Sequence, residues 1–360
     1  MSGRPAAIEG LRTAHEGPVP PVGDLEIFDR ESREASENEL LAPGASRAVG
    51  AGDRARHEEP DAFRTCFERD RDRILHSAAF RRLAGKTQVF VFPADHQRTR
   101  LTHALETAQV AGSIARACRL NVALCEAIAL GHDCGHGPGG HASEIALAPF
   151  VEGGFDHAVW GADVTVTDLN LCCQTLDGIR NHSWSRPAPS TPEGEVVALA
   201  DRIAYTAHDL EDAVRAGIVD LGDLPRAVVE LCGTTRGSQL RTFIGDVVET
   251  TRSSGIVAMT AETAEALGEL RRFDYEHIYL RRASLEQSER VTEMLRALVE
   301  HFSLHPAEMP HGSASSTATA DALHQAVAYV AGMTDRYACS QAIARLNWTA
   351  DRLPRGLEWG

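Results

Sequence analysis

The chain has 360 residues, 43% of them hydrophobic, and 36 Lys+Arg against 51 Asp+Glu give a formal net charge of −15. That length can bury a full core, as two domains or as one large helical domain. The acidic balance excludes a broad non-specific surface for nucleic acid or anionic lipid, which needs a basic excess, but it leaves room for a nucleotide in a local basic pocket.

No run approaches the roughly 18 apolar residues of a membrane span. The first residues lack the basic start and apolar stretch of a secretory signal, and the eight cysteines form no C-x-x-C pair. A reduced, cytoplasmic chain with no membrane partner is expected. Lys86 is the sole lysine; every other basic residue is arginine.

Residues 1–36 are polar and carry Pro and Gly without a sustained period, which predicts a flexible extension. From Phe63 to Leu83 the spacing of Ile74, Leu75, Ala78, Ala79 and Leu83 predicts a helix with its arginines largely on the other face. Thr87 to Phe92 (TQVFVF) reads as a short strand ended by Pro93. Two apolar helices follow, Thr102–Leu120 and Val122–Gly131, joined tightly at Asn121. The glycines and Pro138 of 131–140 require a loop or a sharply broken helix. Pro192 starts a long helix through Ala216, which Gly217 stops. Helices are expected over Ala261–Tyr279, Leu285–Phe302 and Ala320–Leu346, with 311–319 a flexible connection and 347–360 a tail. The fold class is mostly α, with at most a small β element.

The chemistry gathers around His132-Asp133, two metal-capable side chains at the end of an apolar helix. His103 opens the preceding helix. Asp201 lies in the apolar face of a later one (VVALADRIAY), where an uncompensated carboxylate would be costly. Two imidazoles and two carboxylates make a mixed N/O site suited to Mn, Fe, Mg, Co or Zn, without the thiolates of a structural zinc site.

The set His103, His132-Asp133 and Asp201 resembles the H…HD…D signature of HD-domain metal phosphohydrolases. More narrowly, the segments RDRDRILHSAAFRRLAGKTQVF (69–90), TRLTHALETAQVA (99–111), GHDCGHGPGGHASE (131–144), LADRIAYTAHDLEDAVRAG (199–217) and VAGMTDRYA (330–338) look like deoxyguanosinetriphosphate triphosphohydrolase-like proteins. The resemblance runs from about Glu37 to near Leu346. It implies an HD-domain helical fold with core 99–217, additional C-terminal helices, a divalent metal (Mn or Mg, with Fe, Co or Zn as alternatives), a nucleotide substrate and a homo-oligomer. The implied reaction is hydrolysis of a deoxynucleoside triphosphate at the α-phosphorus to deoxynucleoside and inorganic triphosphate.

The same resemblance places His141 by the scissile phosphate, paired with Glu144, with His136 contacting phosphate. An imidazolium held by a carboxylate is a sensible general acid for a leaving 5′-oxygen. On the helix that carries Asp201, Arg202 would bind phosphate, Tyr205 the sugar and Asp209 the 3′-hydroxyl. Arg100, one turn before His103, is expected to bind phosphate or base. Gln88, His157 and Tyr275 match substrate-binding positions. Glu211, Asp212 and the arginines at 69, 71, 73, 81 and 82 read as solvated faces or subunit contacts.

Two departures stand out. The family's Pro-Pro-Phe-Gly is here Gly137-Pro138-Gly139-Gly140, which predicts a looser loop, and Ala158 and Trp160 replace an Asn and a polar residue. They motivate one alternative, an HD phosphohydrolase for a monophosphate, cyclic or modified nucleotide; a di-iron oxygenase, with His136 or His157 completing a second site, and a nucleotide-regulated module without catalysis are weighed beside it.

Overall fold

The apolar spacing becomes fifteen α-helices in the computed structural model, which describes residues 12–14, 20–93, 96–310 and 319–356. The first, α1 (Arg30–Leu40), is capped by the Asp29 carboxylate and tied by Arg33 to Glu68 of α2 (Cys66–His76). A helix thus occupies the end of the stretch expected as an extension. A reciprocal Thr65/Glu68 cap starts α2, and α3 (Ala78–Arg82) follows directly.

No strand forms among the described residues. Thr87 makes only an isolated bridge to Thr99, and Phe92 takes a left-handed φ of 52°. The expected strand at 87–92 fails because no second strand meets it: the Thr87 hydroxyl donates to Asp335, and Val91 and Phe92 pack on the C-terminal apolar cluster.

The centre of the molecule is α4 (Arg100–Cys118), α5 (Val122–Gly131) and the long α9 (Pro192–Arg215), the last begun by Pro192 under a Thr191 cap. Between α5 and α9 come α6 (His141–Leu147), α7 (His157–Trp160) and α8 (Cys173–Asn181). After α9 follow α10 (Arg226–Cys232), α11 (Arg236–Ser254) and α12 (Ala261–Asp274), which runs into a single π-helical turn at Tyr275–Tyr279. The C-terminal part is α13 (Arg282–Leu304), α14 (Thr319–Ala331) and α15 (Asp335–Leu346). One helix was expected over 320–346. The chain instead breaks at Gly332 and restarts with Thr334 capping the Tyr337 amide, which turns Asp335 inward. The expected connection 311–319 lies outside the described residues, except for Thr319. The tail is anchored: Trp348 and Leu353 are buried against α13, and Arg290 donates to the Leu353 carbonyl at 3.1 Å.

Two apolar clusters hold these helices. One joins α2, α4, α5, α8 and α9 to α10–α12 through fully buried side chains such as Phe67, Ile114, Ile128, Ile179, Ile203 and Phe243. The other joins α6 and Trp160 to α13–α15 around Leu295, Phe302 and Val327. Each large apolar side chain so buried contributes about 1.5–3 kcal/mol. The broken segment 131–140 runs where the clusters meet, every residue of it buried.

Candidate active site

Three chain segments, α4, the end of α5 and α9, bring the four metal-capable side chains together. His132 ends α5, and its Nδ1 donates to the Ala129 carbonyl at 2.6 Å. That fixes the tautomer and leaves Nε2 bare, buried and without a partner. Around it stand Asp133 Oδ1 and Asp201 Oδ1, each 3.5 Å away, and His103 Nε2 lies 2.9 Å from the same Asp201 oxygen. An unpartnered imidazole nitrogen facing two carboxylate oxygens in a buried place is a donor set made for a divalent cation.

The electrostatics agree. Burial opposes ionisation of Asp133, yet Arg100 and then His132 hold it well below the usual carboxylate range; Asp201 is likewise held down by His103 and His132. His132 is disfavoured as a cation by burial, but Asp133 and Asp201 keep its pKa up at about 9. Both carboxylates are thus held ionised, each by a positive neighbour, and a bound cation would take over the part that the His132 proton plays here.

The glycines next to this centre have steric reasons. A Cβ on Gly135 would lie 2.0 Å from the His157 carbonyl oxygen, and Gly140, at φ +61°, would place one 2.8 Å from Arg100 Nη2. The Gly-rich loop, expected to be loose, is held at several points. The Gly139 amide donates to Asp335 Oδ1 at 2.8 Å, the Gly137 amide to Ser143 Oγ at 3.0 Å, and Val291 fills the space beside Gly139. The buried Lys86 ammonium donates to the carbonyls of His136 and Ala331, the latter at 3.0 Å, and burial, then Arg82, lowers its pKa to about 7.

Beyond the metal-capable centre a cavity of about 630 Å³ opens, within the ~300–1,000 Å³ range of small-molecule sites. Gln88, Arg100, His103, Asp133, His136, His141, Glu144, His157, Asp201, Arg202, Tyr205, Asp209 and Tyr275 all line it, with His132 just behind. Glu144 bridges two of its imidazoles: Oε2 accepts from His141 Nδ1 at 3.0 Å and Oε1 from His157 Nδ1 at 2.6 Å. His136 stacks on His157 with centroids 3.7 Å apart. Arg100 Nη1 donates to Asp133 at 2.6 Å and so orients that carboxylate, while its buried Nε has no partner and the guanidinium lines the cavity.

At the far end Tyr279 donates to Asp209 at 2.5 Å and Arg271 Nε to the Tyr205 hydroxyl at 2.9 Å. Arg202 lies 3.3 Å above the Trp184 ring, and Arg271 covers the ring of the half-exposed Tyr275. Burial lifts the Asp209 pKa to about 7 against the Tyr279 hydrogen bond.

Sequence reasoning missed several of these groups. His182, at the end of α8, donates from Nδ1 to the Ile179 carbonyl at 2.8 Å, the device His132 uses, and reaches the centre beside His157. Burial and the neighbouring His132 and His157 push its pKa down to about 3, so it is a neutral donor. The signal was a histidine closing an amphipathic helix, as at His132, without an adjacent Asp to mark it. Trp184, Arg271 and Tyr279 had no motif. Asp212 is corrected: it is 2% exposed and paired with Arg98 at 2.6 Å, not solvated, and Glu211 binds Arg98 and Arg236.

A helical scaffold that presents His, His-Asp and Asp around one buried centre defines an HD domain, and the HD domain family matches residues 100–206, α4 into α9. The phosphohydrolase-associated domain matches residues 257–343, α12 into α15. A deoxyguanosinetriphosphate triphosphohydrolase-like protein of Caldanaerobacter subterraneus is 42% identical over 316 residues, covering 86% of this chain and 93% of that one. One from Clostridium perfringens is 40% identical over 84% of this chain and 92% of its own, and one from Deinococcus radiodurans 37% over 87% and 98%. The chain belongs to the deoxyguanosinetriphosphate triphosphohydrolase-like family of HD-domain phosphohydrolases. It is a hydrolase whose centre fits a divalent metal.

Proposed function

We propose that the chain hydrolyses a deoxynucleoside triphosphate at the α-phosphorus, giving the deoxynucleoside and inorganic triphosphate. The observation that carries this is one cavity running from the metal-capable centre, past the His141–Glu144 pair, to Tyr205, Asp209 and Tyr279. Its lining combines residues that would hold a cation, an imidazole–carboxylate pair and a hydroxyl acceptor, the groups that a nucleotide's phosphate, ester oxygen and sugar call for.

His103, His132, Asp133 and Asp201 would hold the cation, which when bound supplies Lewis-acid charge opposite the phosphate and makes water a nucleophile near neutral pH. Glu144, whose carboxylate its two histidines hold ionised against burial, accepts a hydrogen bond from His141 Nδ1–H and so supports that ring as an imidazolium with a second proton on Nε2. That leaves Nε2, on the exposed face of the ring, to give a proton to the leaving 5′-oxygen. His136 and His157 face the phosphates, and Arg202, carried on Trp184, adds positive charge. Tyr205 packs on the sugar, Asp209 accepts from its 3′-hydroxyl, and Gln88 and Tyr275 border the base and sugar.

Manganese or magnesium, a homo-oligomer and a cytoplasmic location belong to the same proposal. They are supported, respectively, by the N/O donors, by exposed Ile145, Tyr275, Leu280 and Leu285 near the cavity mouth, and by eight free cysteines. The unit, expected over 37–346, is read as extending to Arg30 at the start of α1 and to Leu353. The test is incubation with Mn²⁺ and a nucleotide panel, followed by product separation. Inorganic triphosphate with deoxynucleoside is the expected result; orthophosphate or a ring-opened product would assign a different HD phosphohydrolase activity.

A further inference from the structure

Two thiols that neither the metal-capable centre nor the cavity uses lie against each other. Cys66 opens α2 and Cys172 precedes α8 as its cap; both are free, and they are 1% and 0% exposed. A Cβ on Gly52 would lie 2.4 Å from Cys172 Sγ and 3.3 Å from Cys66 Sγ, so the two sulfurs share one small space beneath a residue that has no side chain. They hydrogen-bond to each other. Gly52, half-buried and at φ +81°, is held over them by a turn in which its amide donates to the Val49 carbonyl at 2.9 Å.

The backbone on both sides of the pair is clamped. Arg54 and Asp70 form a buried ion pair at 2.6 Å, and each half holds one cysteine: Arg54 Nη2 donates to the Cys66 carbonyl at 2.9 Å, and Asp70 Oδ2 accepts the Cys172 amide at 2.8 Å. Arg54 also pairs with Cys172 in a backbone bridge. A disulfide tolerates little error in the placement of its two Cβ atoms, and this clamp fixes both residues without using the sulfurs. The two thiols also differ. The hydrogen bond from Cys172 holds the Cys66 thiol below its ordinary pKa against burial, whereas that bond and burial together raise Cys172. Cys66, at a helix N-terminus where a thiolate is favoured, is the nucleophile of the pair.

We propose that Cys66 and Cys172 are an oxidative modification site, closed to a disulfide by a peroxide small enough to pass Gly52. The Cys66 thiolate attacks one oxygen of hydrogen peroxide, the O–O bond breaks, and the sulfur becomes a sulfenic acid while the departing hydroxide takes up the thiol proton as water. The Cys172 sulfur then displaces the sulfenic oxygen, which leaves with the Cys172 proton as a second water. Two thiols and one peroxide give one disulfide and two waters. The exposed Cys173 is not the partner: its thiol faces Asp53 Oδ2 at 3.2 Å, and burial and that carboxylate push its pKa up to about 11, which leaves little thiolate. The bond would close a loop of roughly a hundred residues. It would tie α2 to the start of α8, whose other end carries His182 into the centre.

The experiment treats the reduced full chain with a small excess of hydrogen peroxide under native conditions, alkylates the remaining thiols and maps the digest by mass spectrometry. Of the eight thiols, wild type is expected to lose those of Cys66 and Cys172, joined to each other, and to regain them with dithiothreitol. The oxidised chain is expected to unfold about 5–10 °C higher than the reduced one. Cys173→Ser should keep the link, and Cys172→Ser should lose it and carry Cys66 on to the sulfinic acid. Eight alkylated thiols in the treated wild type would overturn the proposal. So would a link through Cys173, which fragmentation of the joined wild-type peptides distinguishes from one through Cys172 even where a variant fails to fold. The readout requires neither metal nor nucleotide, so its outcome is independent of the proposed reaction.

Discussion

Replacing Asp335 by Ala is expected to separate the role of the C-terminal helices from that of the metal ligands. Asp335 is 5% exposed and sits on α15, yet it accepts from the Gly139 amide at 2.8 Å and the Thr87 hydroxyl at 2.6 Å. Losing the carboxylate leaves a buried amide without a partner, at about 1–3 kcal/mol, and frees the hydroxyl, at up to a similar amount. Part is returned because the carboxylate itself is held unfavourably: burial raises its pKa against both hydrogen bonds. A net loss of about 2–4 kcal/mol follows. Asp335→Asn keeps an oxygen for Gly139 and can donate to Thr87, so its loss should stay below about 1.5 kcal/mol. Denaturant unfolding measures both variants. Loop 137–140 leads into His141, so kcat for the alanine variant should fall at least about tenfold, or 1.4 kcal/mol of barrier, with bound metal unchanged. An alanine variant as stable as the asparagine one, or with wild-type kcat, would refute the idea that Asp335 pins the loop.

Three shorter predictions follow from the same geometry. His141→Ala should keep its metal and lose turnover by about 10²–10⁴-fold, seen by metal analysis beside steady-state kinetics; retained turnover removes His141 from the chemistry. Arg98→Ala strands the buried Asp212 and should cost about 3–5 kcal/mol in denaturant unfolding, with Arg98→Ala/Asp212→Asn recovering part of it. Burial raises the Asp209 pKa from 3.8 to about 7, so the folded chain binds a proton there that the unfolded chain releases near pH 4. That contribution to stability is present at low pH and is lost as pH rises toward 7. Asp209→Asn should therefore flatten the decline of the unfolding midpoint between about pH 4 and 7, and an unchanged slope would contradict the shift.

The helices around the centre were readable because their period is local: the bounds expected for α5 are those observed, and α4 and α9 differ only at their ends. Asp201 was legible for a different reason. A carboxylate flanked by Ala200, Ile203 and Ala204 is too costly to bury without a cation or firm partners, and sequence alone shows that conflict. What stayed hidden depends on distant segments meeting. Asp212 looked like a surface residue because Arg98, which pairs with it, lies more than a hundred residues earlier. His182 looked like an ordinary helix end, since nothing beside it announces that α8 delivers it to His157 and His132. The strand expected at Thr87–Phe92 had the composition of one, but a strand needs a partner, and α15 took the Thr87 hydroxyl instead.

The enclosure of Lys86 has a practical consequence. It is the only lysine in 360 residues and is 2% exposed, so the described surface offers no side-chain amine to acylating reagents, cross-linkers or lysine-directed proteases. Burial is what lowers its pKa to about 7, so an uncovered Lys86 returns toward an ordinary lysine and its labelling reports the opening itself. The rate at which an amine-reactive probe labels this one position is therefore a built-in clock for how often the glycine-rich loop and the C-terminal helices part.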